Sequence, residues 1–240
     1  IDESVSAENA REVVAVANER EGIYCGVATM PWFIDTWADT DLETFAELIQ
    51  TNDKIVCVGE CGLDYSQDPD EPTIQKQQSI FREMINLAKS TGLPLNMHTD
   101  VRSFKDLLRI LREERAYKVG GMIHNYEMDV GDAHNLLDMG IYVSVGVQIL
   151  HPFYPEIPAD KLPSALREIS IGQMVLESDV HHPLFPIFQD VLGDTWEAHA
   201  PRMVANKLAQ VKGMPVEEVE AITANNARRL FGSRVFSPSS

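Results

Sequence analysis

The sequence predicts an α/β protein built on a parallel sheet, namely a (β/α)8 TIM barrel. Three observations support this fold class. Short apolar runs alternate with amphipathic stretches, and the runs are apolar throughout rather than at every second position. Strands that are apolar on both faces are typical of a parallel sheet covered by helices. Polar residues of metal-binding type follow several of these runs, and parallel barrels build their active sites at the carboxyl ends of their strands.

Six runs predict the strands. Each contains four to eight β-branched or small apolar residues and is bounded by Gly, Pro or Asp. No Gly-rich phosphate-binding turn follows the first run, which disfavours an open dinucleotide-binding sheet. The six runs lie within residues 22–30, 54–64, 93–100, 118–126, 141–149 and 173–179.

Helical periodicity fills the segments between the strands. Apolar residues from Phe104 to Leu111 recur at the spacing of one helix face, and residues 74–88 carry a second, longer stripe. Pro215 followed by two acidic residues predicts the start of the last helix, and Gly232 predicts its end.

Composition bounds the organisation and the partners of the protein. The 240 residues predict one domain over residues 1–232 and a tail over residues 233–240. A formal net charge of −17 disfavours sequence-specific nucleic-acid binding. No apolar run is long enough to span a membrane, and the first residues have no secretory pattern. Three cysteines do not make a disulfide framework, which favours a reducing, cytoplasmic location. The oligomeric state is left open.

Four residues of metal-ligand type end predicted strands: Glu60, His98, His124 and Asp179. Two imidazoles and two carboxylates at neighbouring strand ends match the ligands of zinc, manganese and magnesium sites. Two other interpretations stay open. A strand-end histidine can be a hydrogen-bonded packing residue, and a strand-end acid can cap the next helix.

Strand alternation predicts which way the side chains on the second run point. If Glu60 faces the barrel interior, Val58 does so too, while Cys57 and Cys61 face the helices as small buried residues. Asp64 and Asp100 are expected as N-caps of the helices that follow.

Five ordered blocks resemble the TatD-like metal-dependent hydrolases, a family that includes deoxyribonucleases. The blocks are VGECGLD, LPLNMHTD, GMIHNY, MVLESD and NNARRLFG. The resemblance implies a (β/α)8 barrel with one or two divalent metal ions (Zn, Mg or Mn) and hydrolysis of phosphodiester bonds by a metal-activated water.

The resemblance also implies roles for the four strand-end residues. Glu60 corresponds to the carboxylate that bridges both metals, and His98 and His124 correspond to ligands of the second metal. Asp179 corresponds to the aspartate that binds the first metal and handles the proton of the nucleophilic water, which makes it the catalytic residue.

The departures from the family pattern carry their own expectations. The sequence contains no His-x-His pair, so the first βα unit or two of the barrel are expected to be missing from this chain. Thr99 and Asp100 stand where relatives have Ser-Arg, which removes a phosphate contact. A hydrolase of a small ester, amide or phosphomonoester is therefore the alternative, and a non-catalytic barrel with a vestigial metal site is another. The substrate is a small molecule or a nucleic acid, with Tyr126 and His181 as candidate contacts.

Overall fold

Strands and helices alternate along the chain in the computed structural model, which describes residues 1–150, 158, 160–179 and 196–235. The chain divides into two compact units. Unit 1 comprises Ile1–Ile123, Met139–Ile141 and the described part of Arg228–Ser240. Unit 2 comprises His124–Asp138 and the described part of Tyr142–Ala227.

Unit 1 contains five strands, and each pairs in parallel with the next along the chain. Four helices connect them, so the βαβ alternation predicted from the sequence is confirmed here. In chain order the elements are β1 (Asp2–Glu3), α1 (Ala7–Glu19), β2 (Cys25–Gly26), α2 (Asp41–Thr51), β3 (Ile55–Leu63), α3 (Glu71–Thr91), β4 (Leu95–Thr99), α4 (Phe104–Glu113) and β5 (Gly121–Ile123).

Local signals in the sequence set the ends of the helices in unit 1. The Ser6 side chain accepts from the backbone of the first turn of α1, and Asp70 does the same for α3. Gly92 ends α3 in the left-handed conformation, at a φ of 69°. The apolar stripes of α3 and α4 are buried, as their periodicity predicts.

Unit 2 contains most of β6, which pairs in parallel with β7. The side-chain amide of Asn226 donates to the carbonyls of Ile171 and Met174, at 2.8 and 2.7 Å, and so ties the last helix to the start of β7. The elements are α5 (Val130–Leu137), β6 (Ile141–Val145), α6 (Lys161–Glu168), β7 (Met174–Leu176), α7 (Trp196–Lys212) and α8 (Val216–Val235), whose residues from Arg228 belong to unit 1.

Two predictions about the elements need correction. Within the described residues there are seven strands rather than six. The sequence does not predict β1, because this strand is only two polar residues long and has no apolar pattern. The last helix begins after Pro215 as predicted, but it continues past Gly232 to Val235. Gly232 does not adopt the positive φ of a C-cap glycine, and a helix tolerates an interior glycine at a cost of about 1 kcal/mol.

The α/β class and the parallel strands are thus confirmed. The closed barrel, the missing first units and the domain and tail boundaries stay predictions. Cys25, Cys57 and Cys61 are free and buried. Among the helices of the described ranges, none is both long and apolar enough to cross a membrane.

Candidate functional site

In unit 1, two carboxylates hold the ring of His98. Nδ1 of His98 lies 3.2 Å from Oε1 of Glu60, and Nε2 lies 2.8 Å from Oδ2 of Asp64. The register of β3 against β4 pairs Gly62 with His98, so the acids two residues before and after Gly62 reach the ring. We call Glu60, Asp64 and His98 the His98 cluster.

Charge dominates the electrostatics of the His98 cluster. Burial alone would lower the pKa of His98, but hydrogen bonds to Asp64 and Glu60 outweigh burial and raise this pKa to about 9. Burial would raise the pKa of Asp64, but hydrogen bonds from His98 and Ser66 lower it to about 2. At neutral pH the cluster therefore holds an imidazolium whose Nε2 donates to Asp64 and whose Nδ1 lies within ion-pair distance of Glu60.

The strand that carries Glu60 departs from regular alternation. Val58 pairs with Leu95 and Cys61 pairs with Met97, so three steps along β3 match two steps along β4. Leu95 and Met97 share a face of β4, so their partners Val58 and Cys61 share that face of the sheet. In a regular strand, residues three apart such as Val58 and Cys61 would face opposite sides. β3 thus has a bulge between Val58 and Cys61, and the prediction that Val58 shares the face of Glu60 is wrong.

The bulge also corrects the predicted orientation of Cys57. Its thiol donates to Oε1 of Glu3 at 3.3 Å, and the side-chain amide of Asn96 donates to the same oxygen at 2.8 Å. Asn96 precedes His98 by two residues on β4, so their side chains share a face. Cys57 therefore lies on the side of His98 rather than toward the helices, whereas Cys61 lies on the opposite face, as predicted.

In unit 2, His124 forms a second cluster with acids that follow β7. Its Nδ1 lies 2.5 Å from Oε2 of Glu177, and its Nε2 lies 3.7 Å from Oδ2 of Asp179. Asn125 connects the two acids, since its backbone N–H donates to Glu177 at 2.6 Å and its side-chain amide donates to Asp179 at 2.5 Å. We call these four residues the His124 cluster.

The backbone of the His124 cluster is strained at two positions. Asn125 and Asp179 have positive φ values of 44° and 47°. Non-glycine residues adopt this region infrequently, and such residues concentrate at active sites and ligand sites. Gly146 gives the cluster room, because a Cβ at this position would collide with Oδ1 of Asn125 and come within 3.0 Å of Cγ of Glu177.

The donor chemistry of both clusters fits a divalent cation. Each cluster contains one imidazole and two carboxylates, the ligand types of Zn²⁺ and Mn²⁺ sites. In the described part of the chain, however, no three His, Cys, Asp or Glu side chains already surround a common point. The carboxylates contact ring nitrogens instead, so cation binding requires His98 to lose a proton and give up a carboxylate contact.

The structure places Glu60 beside His98 in one unit and His124 beside Asp179 in the other. Tyr126 is fully buried, and its hydroxyl donates to the carbonyl of Asp129, so it is a core residue, which goes against the expected substrate contact. His181 lies outside the described residues.

Sequence reasoning did not assign Asp64 and Glu177 to the site. Asp64 was expected as a helix cap, but Asp70 caps α3 and Asp64 binds His98. The signal for Glu177 was available, because it lies two residues before Asp179 and alternation places both on one face. Asp64 also lies at an even spacing from Glu60, but its contact with His98 depends on the register of β3 against β4, which a single sequence does not give.

A cleft of about 200 Å³ opens beside the His98 cluster in unit 1. Trp32 lines it and meets the ring of His98 edge-on, with ring centroids 5.0 Å apart and planes at 63°. The indole of Trp32 is 58% exposed, whereas Trp37 packs against Phe45. Asp64 lines the cleft as well, so one acid of the cluster faces the cleft, and His98 lies behind its lining residues Trp32 and Asp64.

Curated relatives resemble this chain over most of its length. YabD of Bacillus subtilis, named an uncharacterized metal-dependent hydrolase, is 31% identical over 217 residues, which are 89% of this chain and 79% of YabD. YcfH of Escherichia coli K12 carries the same description and is 34% identical over 179 residues, 74% of this chain. The match covers 63% of YcfH, less than two thirds of that protein.

Solved structures and a family model agree with these relatives. The TatD homologue YjjV of E. coli superposes with a TM-score of 0.81 at 25% identity, over 96% of this chain and 85% of YjjV. A TatD-family hydrolase of Entamoeba histolytica shares the fold, with a TM-score of 0.72 at 18% identity, over 95% of this chain and 83% of that protein. The model of the family described as TatD related DNase matches residues 1–232. This chain is therefore a member of the TatD-related DNase family, whose curated relatives are named metal-dependent hydrolases.

Proposed function

We propose that this protein is a metal-dependent hydrolase that cleaves phosphodiester bonds with water as the nucleophile. The observation that carries the proposal is the repeated pairing of a strand-end histidine with two carboxylates, in the His98 cluster and in the His124 cluster. A bound Zn²⁺, Mg²⁺ or Mn²⁺ would lower the pKa of a water molecule and polarise the scissile group. Deoxyribonuclease activity is what membership of the family suggests.

Each residue has a role that its contacts support. Glu60 and His98 would hold a cation in unit 1, with Asp64 orienting the imidazole through its other nitrogen. In unit 2, His124 and Asp179 would be the ligands, and Glu177 would orient His124.

Asp179 is the proposed general base. Its side chain keeps about a fifth of its surface exposed, so a water molecule can reach it. The amide of Asn125 donates to Oδ2 of Asp179 and holds the carboxylate in place. Asp179 would take the proton of the attacking water and then pass it to the leaving group.

A second candidate is hydrolysis of a small ester, amide or phosphomonoester. One observation favours it. Asp100, which stands where relatives have Arg, accepts hydrogen bonds from the backbone of Arg102 and Ser103 at the start of α4. This position therefore presents an acid and offers no cation to a phosphate.

The test combines metal depletion with one substitution. We expect hydrolysis of a chromogenic phosphodiester to stop after chelation and to return with added Mn²⁺ or Zn²⁺. Asp179→Asn should abolish turnover, while the exposed His134→Ala serves as the control and should retain it. Full turnover by Asp179→Asn would remove Asp179 from the mechanism. Metal-dependent hydrolysis of a carboxylic ester without phosphodiester hydrolysis would favour the second candidate.

A further inference from the structure

Trp32 is a large aromatic side chain that the fold leaves exposed in a cleft. It lies in the 3₁₀ turn Pro31–Thr36, which follows β2 and starts with a proline that is fixed in φ. The indole and the imidazole of His98 meet at a steep angle, and more than half of the surface of Trp32 remains open to solvent. An exposed aromatic ring that lines a concave site beside candidate catalytic groups is a typical binding element.

The walls of the cleft are polar but carry no positive charge. Asp35 and Asp64 bring two carboxylates to the lining, and none of the described residues that line the cleft is Lys or Arg. The carboxylate of Asp64 already contacts His98 and accepts from Ser66. Gln77 is fixed, because its amide both accepts from the backbone N–H of Asp64 and donates to the carbonyl of Asp64, each at 2.9 Å. An uncharged group fits these walls, whereas an anion would face two carboxylates.

The size of the cleft limits what it can hold. A volume of about 200 Å³ suits a single ring, since a cavity of about 150 Å³ accommodates benzene. Pro31 and Pro69 add apolar lining on which a flat ring can pack. A chain of nucleotides, with one charge on each phosphate, matches neither the volume nor the charge.

We propose that this cleft binds one flat, uncharged ring of the substrate, such as an aryl group or a nucleobase, and that Trp32 stacks on this ring and sets the specificity. The inference rests on the proposed function for its kinetic consequence, because the ring would belong to the substrate hydrolysed beside His98. The preferred substrates are then small esters or phosphodiesters that carry a neutral ring next to the scissile group.

Two substrates with the same leaving group give the kinetic test. Bis(4-nitrophenyl) phosphate and methyl 4-nitrophenyl phosphate differ by one flat ring, and both release 4-nitrophenol. We expect the parent protein to have a KM about tenfold lower for the diaryl substrate, within the range for an aromatic side chain stacked on a ring. Trp32→Ala should remove this KM ratio, and Trp32→Phe should keep most of it. The ratio within one variant cancels any general effect of the substitution on His98.

The control is Tyr117→Ala, which removes another aromatic side chain that is 55% exposed but does not line the cleft. It should leave the KM ratio unchanged. A parent protein without a KM preference for the diaryl substrate, or a Trp32→Ala variant that keeps the preference, would overturn the proposal.

A binding experiment separates this inference from the proposed function. We expect calorimetric titration of the metal-free protein with thymidine to show binding that Trp32→Ala weakens about tenfold. Thymidine 5′-phosphate should bind no more tightly than thymidine at low ionic strength. If no substrate is hydrolysed but thymidine binding depends on Trp32, the proposed function fails and the ring site stands. If thymidine binding is the same in both proteins, or the phosphate strengthens it, the ring site is wrong.

Discussion

Replacing Asp64 by Asn should weaken the His98 cluster by a predictable amount. Asp64 is only 5% exposed, and although burial raises its pKa, hydrogen bonds from His98 and Ser66 lower this pKa from 3.8 to about 2. A difference of this size corresponds to about 2 kcal/mol of native-state stabilisation. The pKa of His98 rises from 6.5 to about 9, which corresponds to about 3 kcal/mol and includes the share of Glu60. The contact between Asp64 and His98 enters both shifts and is counted once, so we expect Asp64→Asn, which weakens the contacts of this carboxylate with His98 and Ser66, to cost about 2 kcal/mol.

The pH dependence of this cost follows from the direction of each shift. The carboxylate has a lowered pKa, so its contribution is present above about pH 4 and is lost as the pH falls through about 2. The imidazole has a raised pKa, so its contribution is present below about pH 6.5 and is lost as the pH rises through about 9. The cost of Asp64→Asn should therefore be greatest between about pH 4 and 6.5. It should be smaller near pH 10, where His98 has lost its charge and only a hydrogen bond from the uncharged imidazole to the carboxylate remains.

Urea unfolding in the presence of a chelator measures this cost at pH 6 and at pH 10. Asp35→Asn is the matched control, because the Asp35 side chain is almost fully exposed and its ion pair with Lys76 is a surface contact. The control should show no measurable change at either pH. A cost of Asp64→Asn that is equal at pH 6 and pH 10 would refute the charge-based reasoning, because a loss of packing alone does not depend on pH.

Three further predictions concern the surroundings of the clusters. Gly59→Ala should destabilise the protein by about 2 kcal/mol or more in urea unfolding, because its Cβ would lie 2.6 Å from a side chain of β4. Gly172→Ala, whose Cβ would have its nearest contact at 3.4 Å, should be tolerated, and equal costs of the two substitutions would contradict the crowding at Gly59. Asn226→Ala should lower the free energy of unfolding by about 2 kcal/mol, because it removes two hydrogen bonds to the carbonyls of Ile171 and Met174. The exposed Asn225→Ala should change it little, and a neutral Asn226→Ala would mean that water replaces both bonds. The thiols of Cys25, Cys57 and Cys61 should react with Ellman's reagent only after unfolding, since burial raises the pKa of all three. Rapid labelling of the native protein would contradict their burial.

Periodicity and composition predict the α/β class, the long helices, the strand that carries Glu60 and the strand end that carries His98, although β3 continues past Glu60 to Leu63. These features follow from local chemistry, because a buried strand needs a continuous apolar run and an amphipathic helix needs a periodic one. The short strand β1 could not be predicted, since backbone pairing with β2 defines it and its two residues are polar.

The roles of Asp64 and Cys57 lay beyond sequence reasoning for a different reason. Both depend on how β3 lies against other strands. Asp64 reaches the ring because the register brings His98 level with Gly62, and Cys57 faces Glu3 because a bulge follows it. A single sequence carries no measure of register, so strict alternation is the only available assumption, and it fails at this strand.

The bulge in β3 makes the spacing of residues as important as their identity. A Cβ built on Gly59 would point at Asn96, while Glu60 contacts His98, so two successive residues serve the same face. Deleting Gly59 would keep every candidate ligand in the sequence and would leave Glu60 opposite Asn96, because Val58 pairs with Leu95 and Cys61 pairs with Met97 on either side of it. The strand would then alternate regularly, and the bulge would be lost although no acid or imidazole had changed. In relatives of this chain, a one-residue gap at this point therefore marks the loss of the bulge even where the glutamate is present.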